Sequence, residues 1–154
     1  MNKAEKEGEK HRGLVKVEPD IASARNHIAK AEHNLKTTLY LQRGGFTDWC
    51  SSTLFYTIYH CFLSILAKQG YESRNQECTF AVLHSLIEDG LVSITKEEME
   101  KVSDLNVEED SETVVNIRER YQYSTTLSLA DETIQELLDL AGEILDKTKV
   151  MLEE

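Results

Sequence analysis

Apolar residues recur every three or four positions through most of the chain, which is the spacing of an amphipathic α-helix. We find no alternating strand pattern and no internal repeat. The first stripe predicts a helix that begins after Asp20, its N-terminal cap, and ends near Gln42 before the turn Arg43-Gly44-Gly45. Its apolar positions are Ile21, Ala24, Ile28, Ala31, Leu35 and Leu39.

The segment from Gly44 to Lys68 is the most apolar part of the chain. Its apolar side chains fall on two seams of a helix, one with Trp49, Tyr56 and Leu63 and the other with Phe55, Tyr59, Phe62 and Leu66. A helix that is apolar most of the way round is normally buried. Membrane insertion is the alternative, but this segment has too many polar groups for a lipid span of about 20 residues. We therefore predict the central helix of a soluble bundle, capped by Thr47 or Asp48 and closed by Gly70.

Shorter helical segments follow, separated by turn signals. Residues 71–79 are predicted to form a loop. The apolar spacing over Phe80–Ile87 predicts a third helix that ends at Asp89-Gly90. Thr95–Glu98 has the spacing of a capping box, which predicts a fourth helical piece up to about Leu105.

The pattern ends with a helix from Ser111 to about Ser124 and a last helix that opens at Ser128. The last helix would pack through Ile134, Leu137, Leu138, Ala141, Ile144, Leu145 and Met151. The predicted fold class is all-α, an up-and-down antiparallel helical bundle of four to five main helices with extra short helices. Residues 1–18 are polar and aperiodic, so we expect a flexible N-terminal tail before one domain over residues 19–154.

Composition agrees with this interpretation, because one proline and seven glycines in 154 residues favour long uninterrupted helices. The three cysteines Cys50, Cys61 and Cys78 have no CxxC spacing. Such cysteines are typical of reduced thiols in a cytoplasmic protein and do not indicate a disulfide framework or a zinc site. Cys50 and Cys61 are eleven positions apart, which suits small residues at a helix–helix contact. We expect no metal and no cofactor.

Charge is distributed unevenly along the chain. Residues 21–87 carry six basic and four acidic side chains, whereas residues 88–154 carry six basic and nineteen acidic ones, a net charge of −13. Because a protein that tracks DNA needs a basic stripe, we expect no such tracking and only local contacts with nucleic acid. The acidic half either keeps the protein in solution or docks a basic partner.

Spacings typical of common catalytic sites are absent from the sequence, among them GxxxxGK[ST], GxGxxG, HExxH and GxSxG. His27 and His33 are six positions apart and do not share a helix face. His60 has no carboxylate nearby in sequence, which is more typical of a hydrogen-bonded helix residue than of a ligand or a base.

The candidate chemistry lies in the segment NIRERYQYS, residues 116–124. Arg118, Arg120, Tyr121 and Tyr123 are concentrated here, within the acidic half of the chain. Two arginines can grip a phosphate while two phenol rings stack a base. In the structural alternative, Tyr121 completes the apolar face of Val114 and Ile117, and the arginines pair with acidic neighbours.

The order of these features resembles the HEPN domain family, small helical domains of prokaryotes and higher eukaryotes named for nucleotide binding. The resemblance covers residues 20–152 and rests on three stretches, AEHNLKTTLYLQRGG, FTDWCSSTLFYTIYHCFLSILAKQGY and RERYQY. It implies a helical bundle that forms a homodimer, with a cleft where two arginine motifs meet. Many members are encoded with a minimal nucleotidyltransferase partner in toxin–antitoxin pairs. Catalytic members are metal-independent ribonucleases with an Arg, four to six spacer residues and a His.

The chain departs from the ribonuclease pattern at one position. Arg118 matches the motif arginine and Glu119 the polar residue after it, but Tyr123 stands where those members have His, and no histidine follows His84. Cleavage of RNA without metal needs a group that exchanges a proton near neutral pH. Histidine, with a pKa of about 6.5, is suited to this, whereas tyrosine, at about 10, is a poor base.

The leading hypothesis is therefore a non-catalytic HEPN-type module, a homodimer that binds a nucleotide, an RNA phosphate or a nucleotidyltransferase partner. Arg118 and Arg120 would contact phosphate, Tyr121 or Tyr123 would stack or hydrogen-bond, and Glu119 would orient Arg118. One alternative is a weak metal-independent endoribonuclease that uses Arg118 and Tyr123. The other is a bundle that serves only as a structural assembly piece.

Overall fold

The structure, a computed structural model, describes residues 13–103 and 113–154. These residues form six α-helices and one pair of short strands, so the protein is all-α in class, as predicted. The strands are β1 (Leu14–Lys16) and β2 (Tyr71–Ser73), and a 3-10 helix covers Thr47–Trp49. The α-helices are α1 (Ile21–Gly44), α2 (Cys50–Gln69), α3 (Gln76–Glu88), α4 (Lys96–Val102), α5 (Val114–Tyr123) and α6 (Asp131–Glu153).

Helix α1 begins where the sequence predicts. The Asp20 carboxylate accepts a hydrogen bond from the Ser23 N–H at 2.9 Å, which satisfies one of the free donors of the first turn. The helix continues two residues past the predicted end. It stops at Gly45, which takes the left-handed conformation (φ 82°) in which its N–H turns back to Gln42 O and Leu41 O.

Helix α2 is the centre of the fold and packs against α1, α3, α5 and α6. Its two predicted seams differ in burial. On one seam Phe55, Phe62 and Leu66 are buried, whereas on the other Trp49 and Tyr56 remain exposed. Neither Thr47 nor Asp48 caps α2 as predicted, because both belong to the 3-10 helix that leads into it.

Small and hydroxylated side chains let α1 and α2 approach closely. Thr38 Oγ1 and Thr53 Oγ1 share a hydrogen bond of 2.6 Å, and Ser64 Oγ donates to Ala24 O at 2.8 Å. The Cys50 thiol donates to Thr38 O at 3.7 Å, so this cysteine lies at a helix–helix contact, as expected. The side chains of Thr38, Ser64 and Cys50 are thereby paired, as buried polar groups usually are.

The short strands differ from the sequence-based prediction, which assigned residues 14–18 to a tail and 71–79 to a loop. Instead β1 pairs antiparallel with β2, with Val15 opposite Glu72. The following segment is tied to the end of α2, since Val17 N donates to Gly70 O and Asp20 N to Ala67 O, both at 2.9 Å. Three-residue strands are too short to show alternation. The remainder of the predicted tail, residues 1–12, lies outside the described residues.

Helix α3 starts four residues earlier than predicted, because Asn75 caps it through the Cys78 N–H at 2.8 Å. The polar residues of its first turn hide the apolar period. The predicted capping box of α4 is present, with Glu98 N bonded to Thr95 Oγ1 and Thr95 N to Glu98 Oε1. The helix ends at Val102, before the predicted end near Leu105, because Ser103 takes an extended conformation. Leu105 itself lies outside the described residues.

The last two helices, α5 and α6, lie in the acidic half of the chain. Thr113 is extended and caps α5, so this helix begins at Val114 and not at the predicted Ser111, which itself lies outside the described residues. Helix α6 begins three residues after Ser128. Leu129 is buried, and its N–H donates to Thr47 Oγ1 at 3.0 Å, which keeps the preceding segment out of the helix. The predicted packing face of α6 is buried, apart from Leu138, which is half-buried: Ile134, Leu137, Ala141, Ile144, Leu145 and Met151.

One stretch of the described residues, Thr47–Gln69, is long and apolar enough to cross a membrane. Its most apolar window is 67% buried inside the protein, as is usual for the core helix of a folded domain. Length and composition alone therefore carry little weight for a membrane span here.

Candidate functional site

Helix α5 carries the arginine motif, and its apolar face fixes how the motif is presented. Val114 and Ile117 are buried in the core, and Tyr121, one turn further on, is half-buried against it. Tyr121 thus completes the apolar face, which agrees with the structural alternative for this residue. The side chain next to Ile117, Arg118, is directed by this packing towards α2.

Arg118 lies over an aromatic ring of the central helix. Its guanidinium carbon is 4.2 Å from the centroid of the Phe55 ring, a cation–π arrangement. Phe55 is in turn stacked on Tyr59, with the ring centroids 5.6 Å apart, and meets Tyr56 edge to face at 5.1 Å. The contact of Arg118 with α2 was not predicted from the sequence. The apolar seam of Phe55 and Tyr59 was the feature of the sequence that could have indicated an aromatic partner on this helix.

The polar contacts of Arg118 are few and local. Nη1 donates to Gln122 Oε1 at 3.2 Å, and Nη2 is 3.8 Å from Glu119 Oε1, too long for a strong hydrogen bond. Nε is buried and has no hydrogen-bond partner among the described residues. With 12% of its side chain exposed, Arg118 keeps only one edge towards solvent.

Three of the other predicted site residues, Glu119, Arg120 and Tyr123, are exposed on α5. Glu119 is exposed and forms the weak ion pair just described, and Arg120 is exposed on the same helix. Tyr123 is 79% exposed at the end of α5. The structure therefore brings Arg118, Glu119 and Gln122 together on one helix and supplies the aromatic ring from Phe55 rather than from Tyr123.

An exposed aromatic surface borders this arrangement. Trp49, at the end of the 3-10 helix, and Tyr56 on α2 are 57% and 45% exposed. The segment after α5 is held next to the start of α2 by the Leu129–Thr47 hydrogen bond, and Leu127 within it is 78% exposed. We call Trp49, Tyr56 and Leu127 the apolar rim of the α2–α5 junction.

Two histidines meet at the α1–α2 contact. His27 Nδ1 and His60 Nδ1 are 3.0 Å apart, and the rings are stacked with centroids 5.2 Å apart and planes at 28°. Burial lowers the pKa of His27. Burial, then His27 and Lys30, lower the pKa of His60 to about 4. His60 is thus a hydrogen-bonded helix residue, as predicted, with a partner that the sequence analysis did not identify.

The cysteines and acidic groups add no metal centre within residues 13–103 and 113–154, where no cluster of three or more ligating side chains occurs. Cys50, Cys61 and Cys78 are buried free thiols. Burial, followed by the charge of Asp48, raises the pKa of Cys50 to about 11, and burial raises that of Cys61 to about 12. Both thiols are therefore poor nucleophiles.

A cavity of about 470 Å³ lies between α4, α5 and α6. Ile117, Leu137 and Leu140 form its apolar wall, and its polar wall carries Lys101, Glu136, Asp139 and Glu143. This acidic surface repels phosphate, so the cavity does not extend the arginine site.

No family model matches this chain, and no curated protein matches it either.

Proposed function

We propose that the chain is a HEPN-like helical bundle that acts as a non-catalytic binding module and binds a nucleotide or RNA phosphate beside Arg118. The observation that carries this proposal is the position of the Arg118 guanidinium, 4.2 Å over the Phe55 ring. The ring occupies one flat face of the guanidinium, and the N–H groups at its edge are left to meet an anion.

The groups that now contact these N–H groups hold them only weakly, which favours their displacement by a phosphate. The contact with Glu119 Oε1 at 3.8 Å is long, and Gln122 is a neutral acceptor. A phosphate that displaced Glu119 would form shorter, charge-assisted hydrogen bonds with the guanidinium, which are about twice as strong as neutral ones. Arg120 and Tyr123, both exposed on the same helix, are the further contacts we propose for such a ligand.

The homodimer is part of the same proposal. Trp49, Tyr56 and Leu127 expose apolar surface near the start of α2 and in the segment after α5, and exposed apolar patches of this kind commonly mark protein–protein contacts. A two-fold axis through the apolar rim would cover both copies of the patch at once and bring two α5 helices towards each other. A minimal nucleotidyltransferase is the further protein partner that the family resemblance implies.

Binding is tested by titrating a labelled single-stranded RNA, and separately a nucleoside triphosphate, into the protein in EDTA. Arg118→Ala is expected to weaken binding by roughly tenfold or more, because a hydrogen bond to a charged group contributes about 1.5–3 kcal/mol. Arg118→Lys keeps the positive charge, so we expect its affinity to lie between those of wild type and Arg118→Ala. Arg25→Ala, an exposed arginine on α1, is the matched control. Equal affinity of Arg118→Ala and wild type would refute the proposal.

The burial of Arg118 also favours a second candidate, the structural assembly bundle. In that case the guanidinium only joins α5 to α2, and Arg118→Ala lowers stability while neither RNA nor nucleotide binds wild type. The endoribonuclease alternative predicts cleavage of single-stranded RNA in EDTA that Arg118→Ala and Tyr123→Phe abolish. The exposure of Tyr123 at 79% favours a binding contact at the surface over that role.

A further inference from the structure

The His27–His60 contact depends on the number of protons it holds. Two facing Nδ1 atoms at 3.0 Å form a hydrogen bond only when one carries a proton and the other offers a lone pair. The pair is therefore bonded when both rings are neutral and keeps the bond when a single further proton enters at an outer Nε2. When both rings are charged, both Nδ1 atoms are donors, so the bond is lost and two cations face each other.

Among the charged groups around the pair, a lysine opposes the doubly protonated state, and no carboxylate contacts His60 to offset its charge. Lys30, one turn along α1 from His27, repels a charge on His60. Glu18 and Asp20, before α1, and Glu72 on β2 line a cavity of about 610 Å³ that His27 also lines. Of these carboxylates Asp20 is engaged in capping α1, and none lowers the cost of a charge on His60 by a contact of its own.

We propose that the His27–His60 pair is an acid-sensitive latch that holds the N-terminal half of α1 on α2 and releases it when both imidazoles are charged. The pair joins residues 33 positions apart, one on α1 and the other on α2. Ser64 Oγ to Ala24 O is the neighbouring bond, so opening of the latch exposes that contact to water as well. This inference is independent of the phosphate site, because it uses no residue of α5.

The opened helix takes up protons that the closed one does not, which determines the direction of the pH effect. The ordinary histidine pKa of 6.5 is that of the opened state, whereas the closed state binds protons only at lower pH. The equilibrium constant for opening therefore rises by about tenfold per pH unit for each such proton as the pH falls below about 6.5. Above that pH the latch is fully closed.

The test is amide hydrogen exchange of full-length protein, followed by NMR between pH 7 and pH 5 and corrected for intrinsic exchange. We expect protection of the amides of residues 24–32 to fall by roughly tenfold or more relative to those of α3. In the double variant His27→Gln/His60→Gln, an amide pair replaces the imidazoles and does not titrate, so this relative fall should disappear. His33→Gln, an exposed histidine on the same helix, should behave as wild type.

A relative fall of the same size in the double variant would overturn the latch, because carboxylates would then be its cause. If the double variant does not fold, the imidazole proton resonances of wild type decide. A second titration step of the two coupled rings below 6.5 supports the latch, whereas a second step at or above 6.5 overturns it, because the doubly charged pair would then form as readily as in the opened helix.

Discussion

The guanidinium of Arg118 lies 4.2 Å above the ring of Phe55, and this single contact joins the arginine motif of α5 to the central helix. The two residues are 63 positions apart in sequence. Burial of the arginine to 12% exposure makes the contact partly structural. In the proposed function the edge of the guanidinium that faces Gln122 and Glu119 would also bind an anion, so stability and ligand binding must be measured separately.

The coupling between Arg118 and Phe55 is measurable in a double-mutant cycle. Phe55→Leu removes the aromatic face but keeps an apolar side chain, and Arg118→Met removes the charge but keeps the stem. We expect a coupling free energy of about 0.5–2 kcal/mol in urea unfolding, since the cation–π pair is largely desolvated. The same cycle with Arg25→Met in place of Arg118→Met should be additive. Additivity in the first cycle would show that the stacking contributes nothing to stability.

Two left-handed glycines predict different costs of an added methyl group. A Cβ on Gly45 (φ 82°) would meet no atom within 4 Å, whereas one on Gly70 (φ 88°) would lie 2.8 Å from the carbonyl oxygen of Val17. Gly45→Ala is expected to lower the free energy of unfolding by about 1–2 kcal/mol, from backbone strain alone. Gly70→Ala should cost more, because the chain between β1 and α1 must also move. Chemical denaturation of both variants measures the difference, and equal losses would contradict it.

Glu98 predicts a pH-dependent contribution to stability. Burial by itself raises the pKa of this carboxyl, but the hydrogen bonds from Lys147 Nζ at 2.6 Å and from Thr95 outweigh it, so the pKa lies below the ordinary 4.5. A lowered folded pKa adds stability above the unfolded value and loses it as the pH falls through the folded value. Glu98→Gln should therefore destabilise at pH 7, by about 1–3 kcal/mol.

The difference between wild type and Glu98→Gln is expected to shrink as the pH falls below 4.5, measured as the midpoint of thermal unfolding. Glu97→Gln, an exposed neighbour in the same helix turn, is the control and should show little difference at either pH. A loss for Glu98→Gln that is unchanged at low pH would mean that the amide disturbs packing and that charge is not the cause.

Trp49 is the only tryptophan and lies on the apolar rim, so its fluorescence reports on the proposed dimer. In a dimer the indole is shielded, and we expect weaker quenching by acrylamide and emission at shorter wavelength. Over roughly a hundredfold dilution across the dissociation constant both should revert to the values of an exposed indole. Sedimentation of Tyr56→Ser, which leaves the fluorophore in place, should show a monomer at concentrations where wild type is dimeric. Unchanged sedimentation would exclude the rim as the interface.

Much of the helical framework was predictable because its signals are local. The cap of α1 at Asp20, the glycine end of α2 at Gly70 and the capping box of Thr95 and Glu98 each involve residues within one helical turn. One boundary that moved has a local cause, the Asn75 cap of α3, whereas another has a non-local cause. Helix α6 begins late because Leu129 is bonded to Thr47, 82 positions earlier.

The candidate site was predictable only in part. Arg118 was identified from its motif and from the residue types around it, and these select a chemistry without selecting a geometry. Tyr123, predicted with Tyr121 to stack or hydrogen-bond with a ligand, is exposed, and the ring that meets the guanidinium belongs to Phe55. The apolar seam marked Phe55 as buried, but no pattern within α5 or α2 alone indicates which side chain of one helix lies over the other.

The sequence by itself determined the all-α class, most of the helices and the residue types of the arginine motif. Helical periodicity, caps and glycine ends act within a few residues, so they are visible without the fold. Only the tertiary structure decided the pairing of β1 with β2, the contact of His27 with His60 and the position of Arg118 over Phe55. Each of these joins side chains or strands from distant parts of the chain. Such contacts form only where the packing of the core brings their partners together. The local spacing of residues does not show which partners will meet.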